Sequence, residues 1–303
     1  MVYQNLIDTA GRLGCRVTAN APMAAETSFR VGGPADLLVD LPTAQATAAV
    51  IAACRQEEIP WMLIGNGSNL VVGDKGIRAA VLRPADDGAD PTVLTENRLY
   101  APAGMPLKRL CIFAREQGLS GLEFAFGIPG AVGGAVYMNA GAYDGCMADV
   151  VESADCVTPD GTLCTLSGTE LELGYRHSAL MELGYVVTGV TLRLTPGDKT
   201  AIGEKMKDLM HRRQEKQPLE YPSAGSFFKR PVGHFAGALV EQAGLKGFTV
   251  GGAQVSEQHA GFVINRGGAT AADILALCHQ VQDKVYAQFG VRLEPEVRVI
   301  GEF

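Results

Sequence analysis

The chain has 303 residues, 47% of them apolar and 19% charged, with a formal net charge of −7. That length suits two or three compact lobes, and no window holds the roughly 18 uncharged apolar residues that a membrane span needs. The acidic balance argues against a nucleic-acid partner, whose affinity would come largely from phosphate neutralisation, so any anionic ligand must be held by local groups.

The start, Met1-Val-Tyr-Gln-Asn-Leu-Ile-Asp8, has no basic stretch and carries a charge where a signal peptide would be apolar. A cytoplasmic protein is expected. Residues 2–13 suit a short opening helix, and 35–41 suit a strand. Thr43 then caps a helix that places Val50, Ile51 and Cys54 on one face and stops at Pro60. Trp61-Met-Leu-Ile64 has the composition of a buried strand. The Gly65-Asn-Gly-Ser-Asn69 loop that follows contains Gly-x-Gly, but Leu70-Val-Val72 continues as strand where a dinucleotide-binding loop would open a helix.

Beyond Pro84 a second lobe is expected, with a strand at 98–101 and a helix from Leu107 to Gln117 that Gly118 closes. Strands are expected to dominate from there to Pro196. Within this stretch Phe126-Gly-Ile-Pro-Gly-Ala-Val-Gly-Gly-Ala135 and Asn139-Ala-Gly-Ala142 hold glycines that let backbone approach a ligand closely. A third, α+β lobe opens with a helix at 201–214. It also holds a helix over 271–289, with Thr270 and Asp273 as a capping pair and Gly290 as the stop. An extended segment, 294–300, ends the chain.

Seven cysteines, Cys15, Cys54, Cys111, Cys146, Cys156, Cys164 and Cys278, are scattered without a Cys-x-x-Cys pair or a histidine at zinc-ligand spacing. Buried reduced thiols are expected, with neither disulfides nor a metal. Three glycine-rich segments, at 30–36, 65–69 and 127–134, each suit an ordinary tight turn. Together they favour an elongated, phosphate-bearing ligand.

The order of Thr27-Ser-Phe-Arg-Val-Gly-Gly-Pro-Ala-Asp36, Gly65-Asn-Gly-Ser-Asn-Leu70, Gly127-Ile-Pro-Gly-Ala-Val-Gly-Gly-Ala135, Gly174-Tyr-Arg176 and Tyr221-Pro-Ser-Ala-Gly-Ser-Phe-Phe228 resembles the UDP-N-acetylenolpyruvoylglucosamine reductase family. The resemblance continues through Ala260-Gly-Phe-Val-Ile-Asn265 to Glu294-Pro-Glu-Val-Arg298. It implies an α+β fold: a two-lobed FAD-binding fold of the vanillyl-alcohol oxidase type plus a C-terminal α+β substrate-binding domain. The expected divisions are 1–84 and 85–199 for the FAD lobes and 200–293 for the substrate domain, with a closing strand near 294–303 able to return to the first lobe.

The implied activity is NADPH-dependent reduction of the enolpyruvyl ether of UDP-N-acetylglucosamine to UDP-N-acetylmuramate through bound FAD, in peptidoglycan precursor synthesis. Ser226 would protonate the carbon beside the carboxylate. By its own neighbours it is a turn serine, since no nucleophile elbow or adjacent histidine marks it. Arg176 and Glu296 would stabilise the enolate-like charge, Glu296 if it is protonated or hydrogen-bonded; the alternative for each is a surface ion pair. Glu294, two residues from Glu296, is expected to face away from it.

The resemblance places Arg30, Gly65, Asn66, Gly67, Ser68, Asn69, Gly127, Pro129, Gly130, Gly133, Gly134 and Asn139 at the cofactor. Lys205, Arg212 and Lys216 share roughly one helical face, ordinarily a solvated one. Their position before the Ser226 motif favours Lys216 and Arg212 as diphosphate contacts, with Tyr175 and Lys229 as further substrate contacts. The first histidine is His177. A histidine tether in the first lobe, common in the wider flavin fold, is therefore unavailable and non-covalent FAD is expected, with Cys54 or Cys111 as the thiols that could form a thioether. The interval from Arg176 to Ser226 is too short for the tyrosine-bearing loop of longer family members, and Arg230 stands where a polar uncharged residue is expected. Two other readings stand beside this one: a different FAD-dependent oxidase or dehydrogenase of the same fold, and a non-catalytic nucleotide-sugar binder.

Overall fold

The computed structural model describes residues 3–303. Local capping chemistry sets its clearest elements. Helix Ala44–Gln56 starts on Thr43, whose Oγ1 accepts the Ala46 N–H at 3.0 Å, and its Val50, Ile51 and Cys54 are buried. Helix Ala271–Phe289 opens with a reciprocal box. The Thr270 hydroxyl accepts the Asp273 N–H, the Asp273 carboxylate accepts the Thr270 N–H, and Gly290 ends the helix at φ 68°. The opening helix runs Gln4–Arg12; its expected first residue, Val2, lies outside the described residues.

Contacts divide the chain into two units. The first takes the chain up to Ala19, Leu37–Asn66 and Ala79–Arg212; the second takes Asn20–Asp36, Gly67–Arg78 and Arg213–Phe303. This grouping differs from the expected divisions at 84 and 199 in that 79–212 runs through both, and the short segments 20–36 and 67–78 group with the C-terminal part of the chain.

In the first unit, Trp61–Leu63 lies parallel to residues 80–82, with Trp61 opposite Ala80. An antiparallel sheet orders Leu163–Ser167, Val151–Val157, Val186–Arg193, Arg98–Pro102 and Thr92–Thr95. Leu99, Leu107, Leu110, Val136, Val190 and Leu192 are fully buried in the core that forms against it. Asp40, also buried, receives Arg83 Nε at 2.6 Å and Arg16 Nε at 2.7 Å. Burial pushes its carboxyl up, but the two guanidinium groups outweigh burial and hold it below the ordinary aspartate value.

Some elements depart from the sequence expectation: Trp61–Leu63 is half-buried, and Leu180–Leu183 is helical. The 127–131 loop opens a short helix, Val132–Tyr137, in a stretch where strands were expected to dominate. Paired glycines give it poor helical propensity. Tertiary packing compensates: the Gly133 N–H donates to Ala103 O at 2.8 Å, and a Cβ on Gly133 would stand 2.8 Å from the Ala103 Cβ.

The second unit holds an antiparallel sheet of Ser223–Ser226, Phe262–Asn265, Ala253–Val255 and Thr249–Val250. Ile274, Leu277, Val281 and Val285 of helix Ala271–Phe289 share its core with Phe29, Val71 and Phe227. At the chain's end only Arg298–Ile300 is regular strand, lying parallel to Leu70–Val72. The α+β class expected from the sequence is the class observed.

Candidate active site

Two of the glycine segments meet within the first unit. A Cβ built on Gly134 would touch nothing within 4 Å, and one on Gly65 would meet only the Gly134 Cα, at 3.9 Å. Neither residue has a positive φ. The protein's own packing therefore gives no reason for glycine at either position, whereas a ligand laid along the backbone does. Gly67 and Gly133 differ. In the second unit a Cβ on Gly67, at φ 62°, would collide with the Glu26 carbonyl, and Gly133 is pressed against Ala103. Close packing accounts for both, against backbone at Gly67 and against the Ala103 methyl at Gly133.

Also in the first unit, Gly174-Tyr-Arg-His177 forms a two-residue turn closed by Gly174 N–H to His177 O at 3.1 Å and His177 N–H to Gly174 O at 3.2 Å. Arg176 sits at its apex with φ 52°, a region non-glycine residues seldom adopt and one that tends to mark functional sites. Its guanidinium lies 5.5 Å from the Tyr175 ring centre, and Tyr175 itself is 61% exposed. Asn139, at φ 41°, donates from Nδ2 to Gly174 O at 2.8 Å and accepts Ala148 N–H on Oδ1 at 2.9 Å.

In the second unit Ser226 ends strand Ser223–Ser226, whose register against Phe262–Asn265 shifts between Ser223 and Ser226. Gly225, at φ 79° with open space at its missing Cβ, makes that bulge possible. Ser226 is left exposed while Phe227 and Phe228 are buried, with Phe227 edge-on to Phe29 at 6.4 Å. The Phe227 N–H donates to Gly261 O, and its carbonyl accepts the Glu296 N–H, both at 2.8 Å. Asn69 Nδ2 donates to Glu296 O at 3.1 Å. Backbone bonding of Phe227 thus joins the Ser226 and Glu296 segments, and the Asn69 side chain is tied to the latter.

Residues 35–167 match the family model described as "FAD binding domain", and 217–300 match "UDP-N-acetylenolpyruvoylglucosamine reductase, C-terminal domain". A curated protein from Clostridium botulinum (strain Hall), named UDP-N-acetylenolpyruvoylglucosamine reductase, is 51% identical over 94% of this chain and 93% of its own. A protein of the same name from Lachnoclostridium phytofermentans is 50% identical over 95% and 94%. The crystal structure of UDP-N-acetylenolpyruvylglucosamine reductase from Thermus caldophilus superposes with a TM-score of 0.80 at 37% identity, covering 94% of this chain and 98% of that one. The chain belongs to the UDP-N-acetylenolpyruvoylglucosamine reductase family. That places it among the FAD-containing oxidoreductases of peptidoglycan precursor synthesis.

For a member of this reductase family, the facing glycines at 65 and 134 fit FAD, since they leave backbone uncovered where a flat, phosphate-bearing molecule could lie. The two thiols considered for a covalent tether do not fit that role. Cys54 and Cys111 are both buried, and desolvation pushes each up to about 12. Cys111 Sγ also donates to Leu122 O at 3.3 Å.

Of the cations expected at the substrate, Arg212 and Lys229 are engaged by acids, as is Lys205 on the helix of Arg212. Arg212 pairs with Asp208 at 2.8 Å, Lys205 Nζ lies 3.8 Å from Glu123, and Lys229 Nζ lies 3.4 Å from Glu294. Lys216 is exposed at the end of helix Lys199–Lys216. The expectation for Glu294 needs correcting, because residues two apart on an extended segment share a face. What distinguishes Glu294 is its exposed ion pair with Lys229, whereas Glu296 is half-buried. Arg230 stacks its guanidinium 4.0 Å from the Phe235 ring centre.

Two further residues escaped sequence reasoning. Ser28 Oγ donates to Ser223 O at 2.6 Å, which ties the Thr27-Ser-Phe-Arg motif to the strand that carries Ser226. Asn265, buried, donates to Phe29 O at 3.1 Å and accepts the Gly267 and Ala269 N–H groups. A polar residue ending the apolar run Phe-Val-Ile was the available signal for the second.

Proposed function

We propose that the protein reduces the enolpyruvyl ether of UDP-N-acetylglucosamine to UDP-N-acetylmuramate, with NADPH as hydride donor, and that it works in the cytoplasm. The observation that carries this reading is the bond from Glu296 N–H to Phe227 O, which sets a carboxyl-bearing residue beside the segment of the exposed Ser226 hydroxyl. Reduction of a vinyl ether next to a carboxylate requires hydride at the terminal carbon and a proton at the carbon bearing the carboxylate. FAD, when bound, supplies the two-electron hydride chemistry that no side chain offers.

Ser226 is the proposed proton donor. Such a donor needs only an O–H within about 3 Å of the carbon it serves, and the Gly225 bulge frees Ser226 from the buried pair of phenylalanines that follows. Arg176 is proposed to stabilise the charge that grows on the carboxylate, an effect that scales with how much that charge increases in the transition state. Glu296 is proposed to take part through a protonated or hydrogen-bonded carboxyl. Arg30, Gly65, Asn66, Ser68, Gly127, Pro129, Gly130 and Gly134 are proposed for FAD, and Tyr175, Lys216, Arg212 and Lys229 for the UDP-sugar or NADPH. The lobes at 1–84, 85–199 and 200–293 are kept as the proposed functional division.

Anaerobic absorption spectroscopy tests this. NADPH is expected to bleach the bound flavin and the enolpyruvyl UDP-sugar to restore its colour. Colourless protein that takes up no flavin on reconstitution would contradict the reading. Bleaching by a hydroxy acid or a sugar lactone in place of NADPH would favour an oxidase or dehydrogenase of the same fold.

A further inference from the structure

Helix Val132–Tyr137 ends in a paired-bond motif: the Asn139 N–H donates to Val136 O at 3.0 Å and the Ala140 N–H to Ala135 O at 2.8 Å. In that motif the left-handed position just past the helix belongs most often to glycine, which adopts positive φ without steric cost. Asn139 occupies it here, at φ 41°, and is buried. Its side chain shows what glycine would lack. Nδ2 donates to Gly174 O at 2.8 Å, and Oδ1 accepts the Ala148 N–H at 2.9 Å. The same Gly174 carbonyl closes the turn by accepting the His177 N–H. Just beyond the turn, Ser178 Oγ donates to Tyr137 O at 2.7 Å, a second tie to the end of the same helix.

We propose that Asn139 is a positioning residue for Arg176: its amide fixes the Gly174–His177 turn to the end of the helix that follows the cofactor-side glycines, and so sets where the guanidinium stands. This rests on the role given to Arg176 above. It differs from the sequence expectation that Asn139 touches the cofactor, because both polar atoms of its side chain are already engaged by the protein. A turn whose apex residue holds an unfavourable φ needs outside constraint to keep it, and the tether supplies it.

The test uses Asn139→Gly, which keeps the left-handed backbone and deletes both side-chain bonds, and Asn139→Asp, which keeps the acceptor for Ala148 and sets an oxygen against Gly174 O. In FAD-loaded protein, hydrogen exchange at the 175–177 amides is expected to rise in both variants. Flavin reoxidation by the enolpyruvyl sugar is expected to slow by about 10- to 100-fold, with NADPH reduction and FAD affinity within about twofold of the parent. Added to Arg176→Ala, Asn139→Gly should cause no further slowing. Unchanged exchange at the turn would overturn the tether, and so would weakened FAD binding with unaltered reoxidation, or slowing that multiplies with that of Arg176→Ala. If exchange rises but Arg176→Ala itself leaves reoxidation untouched, the tether stands and the catalytic role of Arg176 falls.

Discussion

The segments that carry Ser226 and Arg176 are built by opposite means. Ser226 ends a sheet strand and is followed by two buried phenylalanines, with backbone bonds on both sides to Gly261 and Glu296. Arg176 stands at the tip of a two-residue turn, in a left-handed conformation, beside an exposed tyrosine. The first placement is over-determined by the core. The second depends on a few hydrogen bonds, so a change that barely alters stability can still move the guanidinium.

The largest expected effect tests the first half of that contrast. Phe227→Ala should destabilise the fold by about 3–5 kcal/mol, measured by urea unfolding, whereas Tyr175→Ala should stay within about 0.5 kcal/mol of the parent. A large loss from Tyr175→Ala would show that the turn too is held by packing. The neighbouring glycines give a second pair. Gly133→Ala forces a methyl against the Ala103 Cβ and should cost about 1–3 kcal/mol. Gly134→Ala should leave stability within about 1 kcal/mol yet weaken FAD binding, as followed by flavin fluorescence titration.

Capped and terminated elements were plain in the sequence because their chemistry is local. Thr43, the Thr270–Asp273 box and Gly290 sit within a few residues of what they control, and helix Ala271–Phe289 was expected residue for residue. Helix Val132–Tyr137 was not, because its stability comes from Ala103 and Met105 rather than from its own glycine-rich sequence. The same holds for the grouping of 20–36 and 67–78 with the C-terminal part, which long-range contacts decide. At the site, motif order pointed to Ser226, Arg176 and Glu296. The engagement of Asn69 with Glu296 O and of Asn139 with Gly174 O was hidden, since each partner carbonyl lies far along the chain.

Acid should act more gently than core substitution. Because the folded-state carboxyl of Asp40 is held below its ordinary value, the stability it contributes is complete above the unfolded pKa of about 4 and is lost as pH falls through the folded value. Asp40→Asn should therefore flatten the acid limb of a Tm-against-pH curve below about pH 4. An unchanged acid limb would assign the acid sensitivity to other carboxylates. A small effect should come from the exposed Lys229–Glu294 pair, where Glu294→Gln should change stability by less than about 1 kcal/mol.

The proton-donor role of Ser226 is tested most directly by following the two half-reactions of Ser226→Ala separately under anaerobic stopped flow. Flavin reduction by NADPH should proceed at the parent rate, and reoxidation by the enolpyruvyl UDP-sugar should slow by about 10²- to 10⁴-fold. Reoxidation at the parent rate would contradict Ser226 as the proton donor.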